Sequence, residues 1–538
     1  MKSNNAVVKL LNKHIANRYD NVAVIKHHDG VWTYGQLGVK VSAYASYFGS
    51  IGIRKGDTVA IYLEDCPDWI AAFLALLHIG AVAVPIDTFA TIEKVNICIQ
   101  LARTRFLFTK TEFLKKNNID IEALDIEYLG QVIVTEDLGS IPSCSVVPVC
   151  DVKETDPALI LFTSGSTGSP KGVVHSHRSL TSIAEGFGAE CLRPDSGDIF
   201  FSTSRLFFGY GLGNSLIFPL YFACSVVLVS EKVTPAELKK LINEYNVTHF
   251  FSVPKIYSSM LMEPDGLNMF PSIKQFISAG EPLPATLAKL WVTATKKNMM
   301  DGIGSTEAMH IFCYSHFFAN GTSMIGRRVS NYDIKLFDDN KVEIVTSESP
   351  GNIAVRGMAI ASAYCAQPGA STKVLVDGYL YTGDLYKYSV DNELIYVGRN
   401  SDIFKSSGLW VSTFEIESVV RELPWIEDVG VVFYLDHSMC QKVLALVIPK
   451  LKRMELIASG MLDDTDCEET IRRHLASKLP KYKLPSDVRL VSDMPRNSNG
   501  KLDKAKIKKL LSSTAVDEWG QMLPRIVLNR MPEGVIEI

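Results

Sequence analysis

Short apolar runs that alternate with helical patterns restrict this chain more than any other feature. Thr58-Val59-Ala60-Ile61-Tyr62 leads into the Trp69–Leu77 pattern and then into Ala81–Ile86. The order recurs as Ser225–Val229, Pro235–Tyr245 and Thr248–Val253. Strands that are apolar on both faces need helices above and below, which predicts parallel sheets joined by crossover helices. The pattern changes near residue 400. Leu380–Arg399 is rich in turns and strands, and after it come helix Thr413–Glu422, strands Val429–Phe433 and Val443–Ile448, helix Cys467–Leu479 and strand Val488–Val491. The expected fold class is therefore α/β: a large N-terminal domain of α/β sheets with a β-rich subdomain over 1–400, and a small α+β C-terminal domain over 401–512. Residues 513–538 form a tail without an assigned role.

Composition narrows the function classes. With 538 residues and a net charge of −4, the chain has no basic footprint for nucleic acid or an anionic membrane. A nucleotide remains compatible, because a phosphate loop needs few charges. Ten scattered cysteines without a Cys-x-x-Cys pair read as reduced thiols. Met1–Val8 has no apolar core of an export signal, so the cytoplasm is the expected location. Ile70–Ile86 is too short for a membrane span and includes His78, Gly80 and Pro85, so it reads as a buried helix followed by a strand.

The most informative run is Thr163-Ser164-Gly165-Ser166-Thr167-Gly168-Ser169-Pro170-Lys171-Gly172. Its glycines allow a sharp turn and a close backbone approach to a ligand. Hydroxyls and free N–H groups can surround phosphate oxygens, and Lys171 adds a point charge. A Walker A loop needs Gly-Lys-Ser/Thr, whereas Lys171 stands between Pro170 and Gly172. Apolar runs lie on both sides, Ala158–Phe162 before and Val173-Val174 after, so the expected frame is strand–loop–strand. His175 and His177 could tempt a zinc reading, but isolated histidines after a loop are more often packed or solvated.

Five further pieces follow in order: Ser278-Ala279-Gly280-Glu281-Pro282-Leu283, Asp301-Gly302-Ile303-Gly304-Ser305-Thr306-Glu307, Tyr381-Thr382-Gly383-Asp384, Gly398-Arg399 and Pro495–Lys501. With the glycine-rich loop they make the chain resemble the acyl-adenylate-forming (AMP-binding) superfamily of acyl-CoA ligases, peptide-synthetase adenylation domains and luciferases, from about Trp32 to Lys501. The resemblance implies that ATP is held while a carboxylate attacks the α-phosphate and expels pyrophosphate. Such a step needs positioning and charge neutralisation rather than a protein nucleophile. It implies ATP/AMP contacts from Thr163, Ser164, Gly165, Ser166, Thr167, Gly168 and Lys171. Gly280, Glu281, Pro282, Asp301, Gly302 and Ile303 would frame the adenine. Thr306 would meet the α-phosphate, Glu307 would hold Mg²⁺, and Asp384, at a tight Thr-Gly turn, would take the ribose hydroxyls with Arg399.

Lys501 is implied as the lysine that bridges carboxylate and α-phosphate, although its basic run (Lys504, Lys506, Lys508, Lys509) reads alone as a charged surface helix. The small domain would be mobile, with Lys405 and Gly408 entering for a thioester step. The hinge position, usually Asp or Lys, is Ser401, with Asp402 adjacent.

Three variations resemble the benzoate-CoA and anthranilate-CoA ligase branch: Phe208 in place of a histidine in Arg205–Asn214, Ile303-Gly304 in place of Tyr-Gly, and His310-Ile311-Phe312 after the glutamate. Phe404–Val411 fits the same branch. The acid site expected from these is Phe208, Tyr210, Gly211, Ala279, Gly280, Ile303, Gly304 and His310, a narrow slot suited to a planar aryl acid. The alternative, that Phe207, Phe208 and Tyr210 are simply core, stays open. The expected activity is an ATP- and Mg²⁺-dependent aryl-acid–CoA ligase with coenzyme A as co-substrate. The stretch after Lys501 is too short for a carrier domain, so the acceptor is expected to be separate: coenzyme A or, as an alternative, a free-standing carrier protein. A non-catalytic nucleotide-binding relative is the third reading, and a homodimer stays open.

Overall fold

The computed structural model describes residues 3–18, 23–27, 30–124, 129–138, 147–164, 170–263, 270–320, 323–346, 349–366, 368–406, 409–435, 441–450, 467–491, 493–496 and 502–512. The chain divides into two compact units, Met1–Lys335 with Ala354–Thr382, and Leu336–Ile353 with Gly383–Ile538.

The first unit carries a seven-stranded and a nine-stranded sheet. In the seven-stranded sheet, Thr58–Ile61 lies parallel to Val82–Pro85 on one side and to Phe106–Thr109 on the other. Helix Pro67–His78 crosses between the first two. Its residues Trp69 to Leu77 are all buried, as expected for a helix apolar on every side, and Pro67 sits in its first turn, where no N–H is needed. The apolar stretch Ile70–Ile86 is the body of this helix followed by strand Val82–Pro85, as its composition predicts. Among the described residues no helix is long and apolar enough to cross a membrane.

In the nine-stranded sheet, Ile199–Ser202, Ser225–Val227, His249–Ser252, Gln275–Ala279 and Asn298–Gly304 run parallel to their neighbours. Antiparallel strands Ile311–Phe317 and Ser323–Arg328 complete one edge. The alternation in the sequence thus marks the parallel strands of each sheet; the antiparallel pairs lie at both margins of the nine-stranded sheet and at one margin of the seven-stranded sheet, whose other edge strand Gln131–Val134 is parallel. Beneath the large sheet, Phe250, Tyr257, Phe276 and Trp291 form one cluster. Trp291 meets Tyr257 at 4.8 Å and Phe276 at 5.0 Å, both edge-on, the arrangement that ring quadrupoles favour.

In the second unit, strand Ile426–Leu435 pairs antiparallel with Gln441–Pro449, which runs parallel to Asp487–Leu490. Helices Thr413–Val420 and Cys467–Lys478 bury Ile416, Val420, Ile471 and Leu475 against these strands. Helix Lys504–Ser512 carries part of the basic run, and Lys504 is not a free surface charge: its Nζ lies 2.7 Å from the buried Glu417 carboxylate and 3.5 Å from Asp402.

Trp291→Ala is expected to cost about 3–5 kcal/mol of stability. Denaturant unfolding checks this, and a loss below about 1 kcal/mol would show that the cluster is not a cooperative core.

Candidate active site

The glycine-rich run is framed as its flanks require. Strand Pro157–Ser164 pairs antiparallel with Pro170–Ser176, and Thr163 stands opposite Lys171. The tip residues Gly165, Ser166, Thr167 and Gly168 lie outside the described residues. Because side chains alternate along a strand, Lys171, Val173 and His175 share one face. That face meets the Thr306-Glu307 pair at both ends.

At one end His175 Nε2 lies 2.8 Å from the Thr306 carbonyl oxygen. Burial pushes the His175 pKa down to about 4, and the hydrogen bond to Thr306 O and the nearby Glu307 charge only partly offset it. The ring is therefore neutral near pH 7 and donates a proton without carrying charge. At the other end the Lys171 ammonium sits 5.5 Å from the Tyr364 ring centroid, and the Tyr364 hydroxyl donates to Glu307 Oε1 at 2.7 Å. Burial first, and the Glu307 charge second, hold that hydroxyl far above its ordinary pKa, so it remains a donor. The Ala361 N–H donates to the Glu307 carbonyl at 2.7 Å.

The turn that carries Thr306 and Glu307 is compact. Met309 N–H bonds to Thr306 O, and Met309 adopts a φ of 66°, a left-handed backbone that a side chain rarely accepts. Neighbouring glycines permit the packing: a Cβ on Gly304 would lie 2.4 Å from His310 O, and one on Gly209 2.8 Å from Met309 O. Tyr332 closes the far side by donating to Ala308 O at 3.0 Å. Such local strain, held by surrounding bonds, is typical of functional turns.

Next to the turn lies an aromatic group. The His310 ring is 5.5 Å from Tyr210, 5.5 Å from Phe187 and 4.8 Å from Phe218. Its Nε2 is 3.1 Å from Asn214 Oδ1. Burial lowers the His310 pKa to about 3, so His310 supplies a polar wall rather than a cation. Tyr210 donates to Ile277 O at 3.1 Å. Ala279 ends strand Gln275–Ala279, and Gly280 follows with a φ of 91°. A Cβ on Gly211 would lie 2.0 Å from Arg205 O, so glycine there is demanded by its own backbone turn. Phe208 opens that turn, packed 4.4 Å from Phe207. Sequence reasoning missed Asp65, whose carboxylate accepts from Leu206 N–H at 3.2 Å and anchors the start of this segment.

Asp301 and Gly302 lie on strand Asn298–Gly304, with Ile303 beside them. Burial pushes the Asp301 pKa up to about 8; Leu283 N–H donates to Oδ2 at 3.4 Å, and Oδ1 has no partner among the described residues. Glu281 and Pro282 follow Gly280 in the same segment.

In the second unit, Asp384 and Arg399 face each other across a strand pair, with Arg399 Nε 3.1 Å from Asp384 Oδ1. The Asp384 charge raises the Arg399 pKa further above its usual value. Asp384 is not at a turn, as the Thr-Gly pair predicts. It sits inside strand Tyr379–Tyr388, where Gly383 takes a φ of 79° and bends the strand without ending it. Lys405 lies on strand Ile403–Ser406, and Ser401 in the short turn Asn400–Asp402. Lys501 and Gly408 lie outside the described residues.

The family model for AMP-binding enzymes matches residues 11–365, and that for the AMP-binding enzyme C-terminal domain matches residues 415–501. The chain belongs to the AMP-binding enzymes. It is 30% identical over 489 residues to a 3-hydroxybenzoate–CoA ligase of Aromatoleum sp., covering 89% of this chain and 92% of that protein. It is 30% identical over 499 residues to a benzoate–CoA ligase of Thauera aromatica, covering 89% and 91%. The crystal structure of an anthranilate CoA ligase in complex with anthranoyl-AMP matches with a TM-score of 0.85 at 26% identity, covering 95% of this chain and 98% of that one.

The raised pKa of Asp301 has a stability consequence. Between about pH 4 and pH 8 the folded chain keeps a proton that the unfolded chain has lost, so this stabilising contribution is complete at the acid end and declines as pH rises. Asp301→Asn stays neutral throughout. Its stability relative to wild type is expected to improve from pH 5 to pH 8 by at most about 1.4 kcal/mol per pH unit. Chemical denaturation at several pH values checks it, and a pH-independent difference would contradict the buried neutral carboxyl.

Proposed function

We propose that the enzyme activates an aromatic carboxylic acid of the benzoate or anthranilate type with ATP and transfers the acyl group to coenzyme A. The single observation that carries this reading is the arrangement in which one tyrosine touches both the phosphate-loop lysine and the Glu307 carboxylate. It brings a cation for phosphate oxygens and an anion for a divalent metal to one place, beside an aromatic group that contains His310 and Tyr210.

A carboxylate oxygen of the acid attacks the α-phosphorus, forming a P–O bond while the bond to the bridging oxygen breaks and pyrophosphate leaves. The thiolate of coenzyme A then attacks the acyl carbon and expels AMP. Lys171 neutralises the departing phosphates, and Thr306 is assigned to the α-phosphate. Lys501, carried over from the family motif, bridges carboxylate and phosphate in the first step, and Lys405 belongs to the second. Because His310 is neutral, its part is to wall the ring, leaving the substrate carboxylate to the lysines.

Oxygen donors suit magnesium. Among the described residues no cluster of three or more His, Cys, Asp or Glu forms a protein cage for a metal, which agrees with a cation bound mainly by phosphates and one carboxylate. When bound, it would supply charge neutralisation at those phosphates, and Glu307 is the residue assigned to hold it. Asp384 and Arg399 are assigned to the ribose.

A panel of benzoate, hydroxybenzoates, anthranilate, cinnamate and aliphatic acids tests the reading. Pyrophosphate release is expected with aryl acids, and the thioester with added coenzyme A. Release with aliphatic acids alone would overturn the aryl assignment, and adenylate without thioester would favour a carrier-protein acceptor. Lys501→Ala is expected to slow adenylation by roughly a hundred-fold or more, read from pyrophosphate exchange. An undiminished rate would remove Lys501 from the first step.

A further inference from the structure

We propose that Tyr364 is the positioning residue that keeps Lys171 and Glu307 apart and separately available, its ring seating the ammonium and its hydroxyl orienting the carboxylate. The proposal rests on the reading above that Glu307 holds the divalent cation.

Two opposite charges placed close together in a partly desolvated site would ordinarily pair with each other. An ion pair here would occupy the carboxylate needed for the metal and the ammonium needed for phosphate. Among the described residues Lys171 forms no ion pair, and its ammonium lies over the Tyr364 ring, 5.5 Å from the centroid. The ring face attracts the cation but carries no net charge, so it holds Lys171 without consuming Glu307. The phenol does the converse. It donates one neutral hydrogen bond to Oε1 at 2.7 Å and leaves Oε2 for the cation.

The backbone around Tyr364 makes this a fixed arrangement. Ala363 and Tyr364 pair with Val174 and Val173 of the Lys171 strand. The N–H groups of Ser362 and Cys365 donate to Val174 O and Gly172 O, at 3.0 and 2.6 Å. Tyr364 is thus anchored to the same strand as Lys171, while Ala361 anchors the main chain of Glu307 from the same segment. A glutamate side chain free to rotate would have to be ordered when the cation binds. One already oriented avoids that cost.

The test uses the full-length enzyme and Mn²⁺, whose free form is counted by electron paramagnetic resonance with ATP present. Tyr364→Phe keeps the ring and removes the hydroxyl. It is expected to weaken Mn²⁺ binding on the order of ten-fold and to raise the Mg²⁺ needed for half-maximal pyrophosphate exchange by a similar factor. The KM for the acid should stay within about two-fold, since hydrogen bonds act locally. In a Glu307→Gln background, Tyr364→Phe should add no further loss of Mn²⁺ affinity. Unchanged Mn²⁺ affinity in a Tyr364→Phe variant with a wild-type melting curve would overturn the proposal, as would additive losses in the double variant. Wild-type enzyme that binds Mn²⁺ with ATP yet exchanges pyrophosphate with no acid would instead sink the functional reading, and the Mn²⁺ comparison would still decide the role of Tyr364.

Discussion

The hydrogen bond from a buried, uncharged His175 to the Thr306 carbonyl is the constraint around which the first unit's site is organised. It joins the strand leaving the glycine-rich loop to the turn that carries Thr306 and Glu307, two segments far apart in the chain. A charged imidazole could not sit there without a large desolvation penalty, and an apolar residue would leave the carbonyl without that donor. The Ala361 N–H and the hydroxyl of Tyr332 add further bonds to the same turn. The left-handed Met309 persists because these contacts over-determine it.

This arrangement separates two kinds of work. Main-chain bonds and the neutral side chains of His175 and Tyr332 build the turn that carries Thr306 and Glu307. His175 and His310 are both held neutral by burial, and Asp301 is pushed toward its protonated form. Lys171 and Glu307, by contrast, share a tyrosine rather than a salt bridge. In the second unit Asp384 and Arg399 do pair directly.

Much of the fold is legible because buried parallel strands are apolar on both faces, a pattern that Val59-Ala60-Ile61 and Val82–Pro85 display. The strand–loop–strand frame of the glycine-rich run followed from its apolar flanks for the same reason. The position of Asp384 was misjudged because Thr-Gly-Asp is turn chemistry, and only tertiary pairing turns it into a bent strand. Tyr364 and Asp65 gave no signal, since each is a single polar residue whose partner lies 57 or 141 positions away. As an isolated histidine after a loop, His175 is expected to be packed or solvated, and it is packed. The alternation Lys171, Val173, His175 was the available clue that its packing partner shares the face of the phosphate-loop lysine.

Direct attack of an acid oxygen on the innermost phosphorus of ATP is tested most directly by isotopic labelling. Benzoate carrying ¹⁸O in its carboxylate is turned over with ATP and coenzyme A, and the products are weighed by mass spectrometry. The account requires one ¹⁸O atom in the AMP and none in the pyrophosphate. Label in inorganic phosphate with ADP as the nucleotide product, or AMP without label, would contradict it.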